Sequence, residues 1–216
     1  ANLFGITLDR TCNFTGSNAS AISVKVTGPV SFVSVTVEAE VHGSAIAGGF
    51  AATVESLPYG EDITIESCVS NGNVSGKTKG QSDIGGFVGL VTGIDDASFI
   101  VKESRFHGSL FCDSFTCNMG GFIGSFRNNG EAYLEFIKSE SVISKATDSI
   151  NDGQLAFGGF VGLFESIPTI SIFGTDTTLG GRVVIDSEGS NSVFGGLAGK
   201  VTGGLMTSII LKRVKN

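Results

Sequence analysis

The sequence predicts an all-β protein, a parallel β-solenoid of about five rungs with three strands and about 36 residues per rung. Three observations carry that expectation. A Gly-Gly-Phe segment recurs at a nearly constant period. A second, strand-like segment recurs in phase with it. The composition, with 32 Gly against 3 Pro and no Trp among 216 residues, lacks the long Ala/Leu/Glu/Lys stretches of helical repeats.

The chain opens with Leu3-Phe4-Gly5-Ile6-Thr7-Leu8, which reads as a degenerate Gly-Phe-Val-Gly strand. The repeat proper begins at Gly48-Gly49-Phe50-Ala51-Ala52-Thr53-Val54. Its successors start at Gly85, Gly120, Gly158 and Gly195, spaced by 37, 35, 38 and 37 residues. The second segment, centred on Ile65, Val101, Ile137 and Ile172, repeats every 36, 36 and 35 residues. It alternates β-branched or aromatic residues with polar ones, as a half-buried strand does. A third, weaker strand is expected around Val74, Leu110 and Val183. A propeller blade has a similar length, but its antiparallel strands need hairpin turn signals that the Gly-Gly-Phe segments lack.

One domain over 1–216 is expected, with repeats at 1–56, 57–93, 94–129, 130–166 and 167–203 and a partial rung at 204–216. The partial rung comes from Ser208-Ile209-Ile210-Leu211, 37 residues beyond Ile172 when Ile209 is taken as its equivalent. In successive rungs equivalent side chains stack, so Phe50, Phe87, Phe122, Phe160 and Leu197 form a predicted core ladder. Alternation then puts Ala52, Gly89, Gly124, Gly162 and Gly199 on the same inner side. The leading Gly pair turns the corner, through positive φ or through close backbone approach. Ala51, Val88, Ile123, Val161 and Ala198 alternate with these. A strand apolar on both sides is covered on both sides, by its own chain or by a partner.

The core motif Gly85-Gly86-Phe87-Val88-Gly89-Leu90-Val91, with segments such as Ile65-Glu66-Ser67-Cys68-Val69-Ser70-Asn71-Gly72, resembles the GLUG-motif repeats. Those occur in bacterial secreted and surface proteins, including regions of immunoglobulin-A peptidases, and similar repeats occur in large protist surface proteins. A looser likeness runs to the Gly-Gly repeats of chlamydial polymorphic membrane proteins. The likeness covers residues from about 22 to the end and implies a β-helical extracellular repeat region. It brings no catalytic residue with it.

Chemistry-bearing residues are sparse. Fourteen basic against 21 acidic residues give a net charge of −7, which speaks against a nucleic-acid partner, since phosphate binding needs clustered Lys and Arg. No apolar run reaches the length of a membrane-spanning helix. Sequons at Asn13, Asn18 and Asn73 and four cysteines point to an extracellular or cell-surface protein carrying N-linked glycans. Cys112 and Cys117 flank a short loop and are expected to pair, leaving Cys12 to pair with Cys68; buried free thiols are the alternative. No second ligand pair accompanies Cys-x4-Cys, so no metal or cofactor is expected. Asp95-Asp96 and Asn151-Asp152-Gly153 read as turns. No nucleophile, base and oxyanion hole can be assembled, so no enzyme is expected. The expected function is a structural subunit self-associating head-to-tail into a fibre or surface layer, the alternative being an adhesin-like module that binds glycan or protein.

Overall fold

The computed structural model describes residues 2–55, 62–92, 98–127, 131–135, 138–145, 154–165, 169–173, 178–185, 191–202 and 208–212. It is an all-β parallel solenoid: every pairing between strands is parallel and joins one rung to the next. Three sheets form its sides. The first has seven strands, from Asn2–Phe4 through Val30–Val33, Ile63–Glu66 and Ser98–Lys102 to Ser208–Lys212. The second combines two-residue strands such as Val69–Ser70 with long ones such as Val74–Gly85 and Ser109–Gly120. The third has six strands and carries the Gly-Gly-Phe motif, from Ser23–Thr27 to Ala198–Thr202.

The expected count of about five rungs is therefore low. Ser23–Thr27 is a further third-sheet strand, pairing with Ala51–Glu55, and Ala21-Ile22 stands before it where later rungs have Gly-Phe. Leu3-Phe4 is also not a Gly-Phe strand: Asn2–Phe4 pairs with Ser31–Val33 in the first sheet. Register departs from the sequence reading in two more places. Val101 pairs with Leu134, while Lys138-Ser139, beyond Ile137, already pairs with Arg105-Phe106 in the second sheet. Ile172 pairs with Leu211, so the partner of Ile209 is Ile170. The linkers between strands vary in length, and pairing absorbs that variation where a constant period does not.

First-sheet strands alternate as amphipathic strands should. Ile63, Ile65, Phe99 and Val101 are buried, while Thr64, Glu66, Ile100 and Lys102 reach the surface. The predicted aromatic ladder is present. Phe50, Phe87, Phe122 and Phe160 stack face to face with centroids 4.6, 4.7 and 4.5 Å apart, and Leu197 packs at its partly buried end. These spacings match the distance between hydrogen-bonded strands, so offset stacking of rings follows from the ladder itself. Phe32 closes the near end edge-on against Phe50.

Ala51, Val88, Ile123 and Val161 are buried as well, so the chain covers this side of the third sheet itself. On the alternate side, glycines admit close backbone approach. A Cβ on Gly124 would run into the backbone of Asp83 and Ile84, and one on Gly162 into that of Asn118 and Met119. The end of each long second-sheet strand thus lies directly on the third-sheet strand of the next rung. Of the leading pair, Gly85 and Gly86 have no room for a Cβ, which would meet carbonyls of Val88, Phe122 and Gly121. Close approach, and not positive φ, demands glycine there, since Gly5 and Gly28 are the described glycines with positive φ.

Candidate functional site

Two corners of each rung separate the first sheet from the long second-sheet strands. At the first corner Gly5, Ser34, Ser67 and Glu103 occupy equivalent positions and all adopt left-handed backbone, with φ of 60°, 55°, 52° and 47°. The turn geometry is conserved rung to rung although only the first residue is glycine. Ser67 Oγ donates to Glu103 Oε2 along this column at 3.2 Å.

The second corner is concave. It bends at Cys12, Ala39, Gly72 and Gly108, which are equivalent by register. A side chain on Gly72 would collide with the carbonyl of Ala39, so the bend admits only a small residue there. Two polar columns flank it. Glu38, Asn71 and His107 follow the two-residue strands on one side, and Glu40, Asn73 and Ser109 stand before or at the start of the long strands on the other. Between them lies a groove of about 680 Å³, also lined by Arg10 and Arg105. Arg10 pairs with Glu38 at 3.7 Å. Asn73 donates from Nδ2 to Glu40 Oε1 at 3.4 Å and accepts from the Ser109 amide at 3.3 Å. Arg105 is exposed and, among the described residues, makes no ion pair. Beyond Glu40, the His42 Nδ1 and Ser75 Oγ share a hydrogen bond of 2.6 Å, and His42 Nε2 lies 3.6 Å from Glu40 Oε2. Near Arg10, the Thr11 amide donates to Asp9 Oδ1 at 2.9 Å, which holds this carboxyl below its usual range.

A second polar cluster joins the sheets elsewhere. The buried Asp83 carboxylate accepts from Ser125 Oγ (2.6 Å), Asn118 Nδ2 (2.7 Å) and Gln81 Nε2 (3.0 Å). Arg127 Nη2 reaches its Oδ2 at 3.1 Å, and Arg127 Nε lies 3.4 Å from Glu165. A buried charge persists only when paired and hydrogen-bonded in this way. Its four donors come from two sheets and two adjacent rungs, so it reads as a clamp on the junction between sheets.

Of the predicted residues, Cys112 and Cys117 form the expected disulfide. The bridge ties the two halves of the strand Ser109–Gly120, which bends where Lys79-Gly80 of the preceding rung bulge out opposite Phe115. Cys12 and Cys68 do not pair; both are free thiols. They occupy different corners of the coil: Cys12 sits in the concave corner with Ala39, while Cys68 stacks between Val35 and Ser104 inside the other. Burial pushes the Cys68 thiol up, and its Sγ donates to the carbonyls of Phe32 and Glu66. Asn13, Asn18 and Asn73 are all exposed. Asp95-Asp96 and Asn151-Asp152-Gly153 lie outside the described residues. The groove was not foreseen, although Glu38, Asn71 and His107 recur at intervals of 33 and 36 residues, a spacing that signals one polar column.

The fold and these corners define a parallel β-solenoid with one concave polar flank. Comparison with family models, with curated proteins and with solved structures finds no match to this chain. No helix among the described residues is long and apolar enough to cross a membrane.

Proposed function

We propose that this chain is a non-enzymatic extracellular structural protein, a β-solenoid subunit of the kind its GLUG-like motif suggests, stacking head-to-tail into a fibre or surface layer. One observation carries the reading. Of six large apolar side chains exposed among the described residues, Phe4, Val24, Val193 and Val201 (62%, 51%, 44% and 43% exposed) stand in strands with a hydrogen-bonded neighbour on one side only, while Phe111 and Phe115 lie on the inner strand Ser109–Gly120. Apolar side chains on open strand edges are what a neighbouring copy would cover. Equivalent residues form columns, so one copy's last rung offers the surface that another's first rung is shaped to meet. Such a contact does not close on itself, and a non-closing heterologous contact builds a filament.

An extracellular setting is supported by the Cys112–Cys117 bridge, which an oxidising compartment maintains, and by the exposed Asn13 and Asn18 as acceptors of N-linked glycans, the Asn73 amide being held by Glu40 and the Ser109 amide. Treatment with an N-glycosidase should then lower the mass of this chain, expressed in a eukaryotic secretory host, to the bare 22.2 kDa, and an untreated mass already at that value would remove the glycans from this picture. Negative-stain microscopy tests the assembly. Six to seven rungs at about 4.8 Å each give an axial advance of about 29–34 Å per subunit. Filaments with that repeat support stacking; discrete single particles under all conditions contradict it.

A further inference from the structure

We propose that the concave corner is a binding groove for an acidic oligosaccharide, with Arg105 holding its carboxylate. The groove belongs to the flank of the solenoid, not to the open strand edges, so it goes beyond the assembly reading, and its failure leaves that reading untouched. Its volume, about 680 Å³, falls within the range of small-ligand sites. Its walls are columns of side chains that repeat every rung, so it suits a linear ligand lying along the axis with its own short repeat.

The lining chemistry selects the class. Asn71, Asn73, Glu38 and Glu40 present amide donors and carboxylate acceptors side by side, the set that vicinal hydroxyls satisfy. No aliphatic side chain lines the groove and His107 is the single ring among the lining residues, so a lipid finds no apolar surface there. A peptide is disfavoured for a different reason. Extended peptides bind by adding to a strand edge, whereas the strands flanking Asn71 and Asn73 are paired on both sides. Arg10 is already engaged with Glu38. Arg105, exposed and without an ion pair among the described residues, is the guanidinium left to take a planar carboxylate through two parallel hydrogen bonds.

A glycan on Asn73 would fill this groove, so the test uses chain produced without glycosylation. Calorimetric titration with a galacturonate trisaccharide and a hyaluronan tetrasaccharide is compared with titration of their methyl esters. At least one free acid should bind, its ester should bind roughly tenfold or more weakly, and Arg105→Ala should lose a similar factor. Arg105→Lys, which keeps the charge without the fork, should fall between. Lys25→Ala, which removes the same charge from the third sheet, should bind like wild type. The ester comparison is made on unaltered protein, so it stands even if a variant folds poorly. Absence of binding by both acids overturns the proposal, as does binding that ignores esterification. Equal loss in Lys25→Ala would reveal a diffuse electrostatic effect and overturn it too. Displacement of the sugar by a hexaglutamate peptide at equal concentration would assign the groove to carboxylates at large, and not to saccharides.

Discussion

Single residues in this chain are shaped by the column they stand in. Ser34 is the sharpest case, because it holds a left-handed conformation that costs a non-glycine residue about 1–2 kcal/mol. Gly5 does the same work one rung earlier at no such cost. Ser34→Gly should therefore stabilise the protein, by about 1 kcal/mol after the added freedom of the unfolded chain is counted, and denaturant titration would show it. A lower midpoint would mean that the corner is held by something other than backbone preference. Cys68 makes a second residue-scale test. Its thiol is buried and its ionisation is pushed upward, so the folded state holds this proton more tightly than the unfolded chain. The Cys68 contribution to stability is intact below pH 9.0, the ordinary thiol value, and is lost as pH rises from there through the folded value. In native protein near neutral pH, a thiol reagent should label Cys12 and spare Cys68 until the chain is unfolded. Rapid labelling of both would contradict the burial described.

At the scale of elements, the aromatic stack and the glycines that make room for it decide the rung. Phe122 lies between Phe87 and Phe160, with rings nearly parallel on both sides. Phe122→Ala should cost about 3–5 kcal/mol, since it removes a fully buried ring and leaves a cavity that the flanking rungs cannot close. A thermal melt indistinguishable from wild type would place Phe122 outside the core. This ladder was legible in the sequence because Gly-Gly-Phe marks a corner where backbone packs on backbone in rung after rung, and such a corner tolerates few substitutions. The first sheet was less legible. Val101 and Leu134 are partners although the sequence aligns Val101 with Ile137, because periodicity reports average rung length while hydrogen bonding reports the local one. The pairing of Cys12 with Cys68 failed for a related reason: an even count and a spacing say nothing of which corner each residue turns. The Asp83 cluster left still less trace, since Asp83, Asn118, Ser125 and Arg127 meet only through register and through contact between sheets.

For the whole molecule, the consequence of stacking is that every column continues until the rungs stop. The outermost described strands have a hydrogen-bonded neighbour on one side only, and among them stand exposed Phe4, Val24, Val193 and Val201. The groove, by contrast, runs along the flank and would be displayed repeatedly along an assembly. The most direct measurement is the mass of the purified chain by light scattering after size-exclusion chromatography, taken over a wide range of protein concentration and at low and moderate salt. Head-to-tail stacking predicts a mass that climbs with concentration in steps of the 22.2 kDa chain without settling at one closed oligomer. A constant mass of 22.2 kDa at every concentration would contradict it.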